Sequence, residues 1–300
     1  MTGQPRAVSR LAADLAAGRF VVTGEVAPPA SARLGAFFRR ASAISRFARA
    51  ITVTNNHGGS AQLGSLTASG FLVRRGIEPI WVCITRDENR LALESDLISA
   101  EALDVRNILC LRGDQFAAGV DAKAVHDLGT LGLVRLAAAR RDAGAPFFVG
   151  AAVDLNGVPA DRAAEQAARR VEAGAEFLLT QPVYEAERVA AFLDSLRPRL
   201  DRPVHLLPGM MPLLSRDAVA RVPGRLRIVI AEHILHRIAS SEDPKREGLA
   251  VFAETLRELR AIRGVNGVNL MLFGFHPEIA EEVHAVISDV LHTTPYVGAR

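Results

Sequence analysis

The chain has 300 residues, of which 49% are hydrophobic and 23% charged, so it can bury a sizeable core and does not have the composition of a disordered protein. Its net charge is only +3, and its arginines are scattered among aspartates and glutamates. This pattern argues against a nucleic-acid partner, which would require a concentrated basic patch. Lys123 and Lys245 are the only lysines, and neither lies in a strand-like run, which argues against Schiff-base chemistry.

The N-terminal residues, the longest apolar runs and the cysteines indicate the cellular compartment. Residues 1–18 contain no apolar signal-like run, and no stretch reaches the roughly 18 apolar residues that span a bilayer. Cys83 and Cys110 fall in apolar, strand-like runs without CxxC spacing, which is typical of buried core residues in a reducing compartment. We therefore expect a cytoplasmic protein without a membrane partner.

Apolar strand candidates alternate with helical segments along the chain. The predicted strands span 20–26, 50–54, 78–85, 107–111, 146–153, 176–181, 204–207 and 267–273. The predicted helices lie near 33–48, 60–75, 90–103, 128–143, 160–173, 185–196 and 277–291, with two or three short helices in 215–263.

Strict strand–helix alternation implies a parallel sheet. Eight such units in roughly 270 residues predict an α/β fold, the closed (β/α)8 or TIM barrel. We expect a single domain over residues 1–300, with 1–18 as an N-terminal extension. An open doubly wound sheet is the alternative, but no GxGxxG motif opens a helix, which weakens it.

In a (β/α)8 barrel the functional site is built at the carboxyl ends of the strands. The residues predicted there are Glu25, Thr54, Asn55, Asn56, Arg86, Asp87, Arg112, Asp114, Asp154, Gln181, Tyr184, Asn269 and Phe273, together with the turn 208–212. Carboxyl groups and amides together suit a heterocycle with several donors and acceptors. His57 is the only histidine in a strand-end loop, so we expect no metal site.

Three positions carry the chemistry of the predicted site. Glu25 sits in apolar company, where desolvation would raise its pKa and suit it to general-acid catalysis; the alternative is an ion pair at the rim. The amide of Gln181 can both donate and accept, so it either reads a heterocycle edge or bonds to loop backbone. Arg112 and Asp114 must emerge at the carboxyl edge of the fourth strand, either facing a ligand or as a local ion pair.

These strand ends resemble the methylenetetrahydrofolate reductase family over about residues 20–278. The resemblance rests on the motifs Gly-Glu-Val-Ala-Pro-Pro at 24–29, Arg-Asn-Ile-Leu-Cys-Leu-Arg-Gly-Asp at 106–114, Val-Glu-Ala-Gly-Ala-Glu-Phe-Leu-Leu-Thr-Gln-Pro-Val-Tyr at 171–184, Pro-Gly-Met-Met-Pro-Leu at 208–213 and Gly-Val-Asn-Leu-Met-Leu-Phe-Gly at 267–274.

The resemblance implies a (β/α)8 barrel that reduces 5,10-methylenetetrahydrofolate to 5-methyltetrahydrofolate, a step of one-carbon metabolism that serves methionine biosynthesis. It implies NAD(P)H as electron donor, FAD as hydride carrier and a homo-oligomeric assembly. Glu25 matches the general acid, Asp114 the residue that bonds the pterin and tunes the flavin, and Gln181, with Tyr184, the folate contacts. The implied cofactor contacts are Thr54, Asn56, Arg112, Asp154 and Arg170.

The sequence departs from the family where flavin contacts cluster. Val82-Cys83-Ile84-Thr85 stands where the family usually has His-Leu-Thr-Cys, the tyrosine of the fifth strand is missing around Ala152, and the loop 55–59 differs. Two alternatives to a flavoenzyme are therefore direct hydride transfer from NADH and a folate-binding relative without reductase activity. The sequence leaves the choice between NADH and NADPH open.

Overall fold

The computed structural model describes residues 8–226, 228–272, 277–294 and 296. Its eight parallel strands form a closed barrel in chain order, and β1 pairs with both β2 and β8 to complete the closure. The strands are β1 (Val21–Val26), β2 (Ala50–Val53), β3 (Pro79–Ile84), β4 (Asn107–Leu111), β5 (Phe148–Val153), β6 (Phe177–Pro182), β7 (His205–Met210) and β8 (Gly267–Met271).

Helices surround the barrel and follow the strands in the predicted alternation. They are α1 (Arg10–Ala16), α2 (Gly35–Ser45), α3 (Ser65–Val73), α4 (Arg90–Ala102), α5 (Thr130–Asp142), α6 (Ala160–Glu172), α7 (Ala186–Leu196), α8 (Arg216–Leu226), α9 (Glu232–Ser240), α10 (Pro244–Ala261) and α11 (Pro277–Thr293). The predicted (β/α)8 barrel is confirmed. Segment 215–263 holds three helices, one of them 18 residues long, and the predicted strand-end residue Phe273 lies outside the described residues.

Helix α1 was not predicted. Leu11 and Leu15 are one turn apart and fully buried, and they pack with the lower barrel residues Phe148 and Phe177. Burial of each leucine contributes roughly 1.5–3 kcal/mol. The carboxylate of Glu78 accepts hydrogen bonds from the first backbone N–H groups of this helix, which otherwise have no partner. Residues 10–16 of the expected N-terminal extension therefore form a helix that packs against the amino end of the barrel.

The strand period of two sorts side chains between the barrel interior and the helices. On β1, Thr23 and Glu25 face inward, whereas Val22 and Val26 pack in the core between strands and helices. Cys83 and its register partner Cys110 belong to that outer core and are free and buried, as predicted from the sequence. The inward positions nearest the carboxyl edge are therefore the ones that can reach a ligand.

No helix within the described ranges is long and apolar enough to cross a membrane. In the same part of the chain, no three histidine, cysteine, aspartate or glutamate side chains are grouped so as to hold a metal ion.

Candidate active site

A cavity of about 580 Å³ opens at the carboxyl edge of the barrel. This volume falls within the range of about 300–1,000 Å³ that small-molecule sites occupy. One wall, along β3 to β6, is apolar and is formed by Val82, Leu109, Leu111, Ala152 and Leu179. The polar side chains around the cavity are Glu25, Thr52, Thr54, Asn55, His57, Asp114, Gln115, Thr180, Gln181 and Asn269.

A larger cleft of about 930 Å³ lies at the opposite, amino edge, between α1 and the loops that precede β3 and β4. Its charged residues pair with one another, Arg10 with Glu78 and Arg106 with Asp104. The carboxyl-edge cavity instead has a buried ionisable side chain, that of Glu25, in its lining. We therefore place the functional site at the carboxyl edge, where barrels of this kind build their sites.

Glu25 is the buried acid of the cavity. It is next to last in β1 and only 8% exposed. Burial raises its pKa from 4.5 to about 8, because desolvation disfavours the carboxylate; a hydrogen bond from Asn269 opposes this shift, and the charge of Asp114 adds to it. At neutral pH the carboxyl group therefore holds a proton that it can donate into the cavity, as expected from its apolar sequence neighbours.

Asp114 joins two loops at the mouth of the cavity. Its carboxylate accepts a hydrogen bond from the backbone N–H of Gly58 at 2.8 Å, and Nδ1 of His57 lies 3.8 Å from the same oxygen. The side chain remains 55% exposed. Asp114 is thus held between the loop after β2 and the loop after β4, with room to accept a bond from a ligand.

A buried arginine fixes the loop that carries Asp114. Arg86 donates to both carboxylate oxygens of Asp87, at 2.6 and 2.8 Å, and to the backbone carbonyl of Asp114 at 2.7 Å. Its guanidinium lies 4.6 Å from the ring centroid of Phe116. Burial opposes charge on Asp87, but hydrogen bonds from Arg86 and Asn56 outweigh it and lower the pKa of Asp87. This ionised cluster links the loops after β2, β3 and β4.

Gln181 enters the cavity from an irregular stretch of β6. The register between β6 and β7 shifts between Leu179 and Pro182. The hydroxyl of Thr180 donates to the carbonyl of Gln181 at 2.7 Å and accepts from the N–H of Gly209 at 3.0 Å. These bonds fix the local backbone and leave the Gln181 amide in the cavity wall, where it can donate and accept.

The predicted strand-end residues that the fold brings together around the cavity are Glu25, Thr54, Asn55, Asp114, Gln181 and Asn269. Tyr184, predicted as a substrate contact, lies elsewhere. Its ring is buried in an apolar cluster under α8 to α10, and its hydroxyl donates to the carbonyl of Met211 at 2.8 Å.

Four predicted cofactor residues lie outside the cavity lining. Arg112 is exposed, and its Nε lies 3.4 Å from Nε2 of His126. Asp154 is exposed and caps the N–H of Asn156. Arg170 lies in the last turn of α6, which ends at the amino edge of the barrel.

The fourth of these residues, Asn56, uses its side chain within the protein. Its amide nitrogen donates to Asp87 at 2.8 Å, and its amide oxygen accepts from the N–H of Gln62 at 3.0 Å. The hydroxyl of Thr54, which does line the cavity, is buried without a hydrogen-bond partner in the described residues.

Binding of FAD by the five side chains implied for it stays a prediction. Of the five, one lines the cavity. Val82 and Ala152 line the cavity where the resemblance implies a histidine and a tyrosine. Their side chains offer no hydrogen-bond donor to a flavin ring.

Sequence reasoning placed Asn269 at a strand end but did not predict its hydrogen bonds with Glu25, Thr23 and Thr52 in the barrel interior. The period-two alternation of β1 could have placed Thr23 on the same face as Glu25. The contact with β8, more than 240 residues away, required the barrel register.

The fold and cavity define a (β/α)8-barrel protein whose carboxyl edge presents a protonated carboxylic acid to a small-molecule site. Comparison with known proteins identifies its family. Residues 10–281 match the family model "Methylenetetrahydrofolate reductase", and the chain belongs to this family.

The match to an individual relative covers less than half of the chain. A probable methylenetetrahydrofolate reductase (NADPH) of Caenorhabditis elegans is 31% identical over 146 residues, which cover 46% of this chain and 21% of that protein's length.

Solved structures share the fold at low identity. An uncharacterized protein from Clostridium thermocellum, described as binding two copies of 5-methyl-5,6,7,8-tetrahydrofolic acid, superposes with a TM-score of 0.65 at 12% identity, covering 94% of this chain and 99% of that one. A 2,3-dimethylmalate lyase of the PEP mutase/isocitrate lyase superfamily gives a TM-score of 0.55 at 15% identity, covering 97% and 86%. At these identities the likeness concerns the fold alone.

Proposed function

We propose that this protein reduces 5,10-methylenetetrahydrofolate to 5-methyltetrahydrofolate with NAD(P)H as the electron donor. The observation that carries the proposal is Glu25, a carboxylic acid that keeps its proton near neutral pH and faces the cavity. Gln181 and Asp114 offer an amide and a carboxylate at the same cavity, which suits the donors and acceptors of a pterin edge. Family membership supports the same reaction.

In the proposed reaction Glu25 transfers its proton to the folate nitrogen that leaves the bridging carbon. This opens the five-membered ring and leaves an iminium between that carbon and the other nitrogen. A hydride adds to the carbon and yields the N-methyl group, while the nicotinamide is oxidised to NAD(P)⁺. The Glu25 carboxylate then regains a proton from solvent, so one hydride and one proton are consumed per turnover.

FAD stays a prediction of the family resemblance. The cavity residues favour the other route, direct hydride transfer from the nicotinamide to the folate. Val82, Leu109, Leu111 and Ala152 form a continuous apolar wall opposite Glu25 and Asn269, against which a flat nicotinamide ring can pack. A nicotinamide ring packed against this wall is shielded from water. This packing does not require the hydrogen bonds that a flavin ring would need.

A folate-binding protein without reductase activity is the second candidate. The structural neighbour from Clostridium thermocellum is described as binding 5-methyltetrahydrofolate, and the folate-side residues Gln181 and Asp114 line the cavity here. Simple binding, however, gives no purpose to a buried carboxyl group held protonated near pH 7. Glu25 therefore favours the reductase.

The test combines turnover with an isotope label. Purified protein should oxidise NADH or NADPH only when methylenetetrahydrofolate is present, and Glu25→Gln should lower kcat by about 10²- to 10⁴-fold while folate binding persists. Glu172→Gln, a matched change at an exposed position on α6, should keep wild-type turnover. Wild-type rates in Glu25→Gln would show that Glu25 is not the acid, and no NAD(P)H oxidation by wild-type protein would favour the binding candidate.

Deuterated nicotinamide separates the two hydride routes. With direct transfer from a nicotinamide that carries deuterium at both C4 positions, one deuterium per turnover appears in the product methyl group. With a flavin carrier, much of the label is lost, because the hydride resides on a nitrogen that exchanges with water, and the purified protein absorbs between about 350 and 500 nm. Product mass and one visible spectrum together decide between them.

A further inference from the structure

An asparagine at the closure of the barrel connects three strands to the buried acid. Asn269 on β8 is 1% exposed, and its amide nitrogen donates to Oε2 of Glu25 at 3.4 Å. Its amide oxygen accepts from the hydroxyl of Thr23 at 2.8 Å and from that of Thr52 at 3.1 Å. Both threonines are also fully buried, so this polar cluster belongs to the barrel interior.

In the structure both hydroxyl groups lie at the oxygen end of the Asn269 amide, and that of Thr23 is also 3.4 Å from the carbonyl oxygen of Val268. With both threonine protons directed at the amide oxygen, the NH₂ group is left facing Glu25. A donor in this position stabilises the carboxylate form, because hydrogen bonds to a charged acceptor are stronger than those to a neutral one. The cluster therefore counteracts the desolvation of Glu25.

We propose that Asn269 is a positioning residue, held by Thr23 and Thr52, that orients the carboxyl group of Glu25 and stabilises the carboxylate left when its proton is delivered. Two charged or titratable groups also face this carboxyl across the cavity, Asp114 from the loop after β4 and His57 from the loop after β2. The catalytic part of this inference rests on the proposed function, whereas the coupling between Asn269 and Glu25 does not.

Infrared titration of the full-length protein tests the coupling without turnover. The C=O band of the protonated Glu25 carboxyl is assigned by difference from Glu25→Gln and followed with pH. In Asn269→Leu the acid dissociation constant of Glu25 should fall by at least about tenfold, which moves the midpoint to higher pH. Asn107→Leu, which alters a buried asparagine at the amino edge of the barrel, should leave the midpoint unchanged.

Thr52→Val is the gentler variant, because it nearly preserves shape and removes one donor to the amide oxygen. It should move the Glu25 midpoint in the same direction by a smaller amount. An unchanged midpoint in both Asn269→Leu and Thr52→Val would overturn the proposal. In a folate reductase, the alkaline limb of the kcat profile should move with the infrared midpoint while KM for folate stays constant.

The reductase function and the positioning role of Asn269 can be refuted independently of each other. A shifted infrared midpoint in a protein that does not reduce folate would refute the reductase and retain the role of Asn269. Folate reduction by a protein whose infrared midpoint is unshifted in Asn269→Leu and Thr52→Val would retain the reductase and refute the role of Asn269. A loss of kcat in Asn269→Leu that leaves the pH profile in place would point to a purely structural asparagine and would also contradict the inference.

Discussion

Replacing Glu25 by glutamine should make the protein more stable in neutral and alkaline solution. The unfolded chain releases this proton near the ordinary value of 4.5, whereas the folded protein keeps it up to a pKa of about 8. Between these values the folded state binds the extra proton, so wild-type stability falls as pH rises. Below pH 4.5 the contribution of Glu25 is fully favourable, and above pH 8 it has been lost.

The magnitude follows from the width of that window. The interval from 4.5 to about 8 is about 3.5 pH units, and each unit corresponds to about 1.4 kcal/mol, so the full loss is about 5 kcal/mol. Glu25→Gln keeps a similar shape but has no proton to lose. Its free energy of unfolding should match that of wild type near pH 4.5 and exceed it by about 5 kcal/mol at pH 8 and above.

Urea denaturation at half-unit steps from pH 4.5 to 8.5 measures the difference. Glu172→Gln on the exposed face of α6 serves as the control and should give a flat difference across this range. If the difference in unfolding free energy between Glu25→Gln and wild type is also independent of pH, Glu25 is ionised in the folded protein across this range. The general-acid assignment would then lose its physical basis.

Two further substitutions test residues around the site. Tyr184→Phe removes the hydrogen bond to the carbonyl of Met211 and should cost about 1–2 kcal/mol in urea denaturation, with folate affinity measured by calorimetry unchanged; weakened affinity would restore Tyr184 as a substrate contact. Arg86→Lys keeps the charge but loses the two-pronged bond to Asp87, so it should raise KM for folate several-fold by loosening the loop of Asp114. Unchanged KM would show that the clamp does not position that loop.

The sequence predicts much of this architecture because the main signals are local. Strand-length apolar runs followed by helical periodicity reveal eight repeated units, and polar residues that end those runs fall at one edge of a parallel barrel. The raised pKa of Glu25 was foreseeable from its apolar neighbours. Helix α1 was missed because seven residues give little periodicity, although Leu11 and Leu15 already have helical spacing.

What the sequence could not provide depends on register and on loop conformation. Asn269 meets Thr23 because β1 and β8 pair at the closure of the barrel, a contact 246 residues apart in the chain. Arg112 and Asp114 are separated by Gly113, whose φ of +94° turns the backbone so that neighbouring polar side chains diverge. Only Asp114 reaches the cavity, and no local pattern distinguishes it from Arg112.

The departures from the family pattern and the preserved acid lie on opposite walls of one cavity. Val82 and Ala152 belong to the apolar wall, whereas Glu25 and Asn269 belong to the polar wall formed by β1, β2 and β8. In the proposed reaction, proton delivery would use Glu25 and Asn269 of the polar wall. In the same proposal the hydride donor would pack against the apolar wall, so substitutions there would alter contacts with the donor. Under the proposed function, a change of donor would therefore leave the proton-transferring residues of the barrel in place.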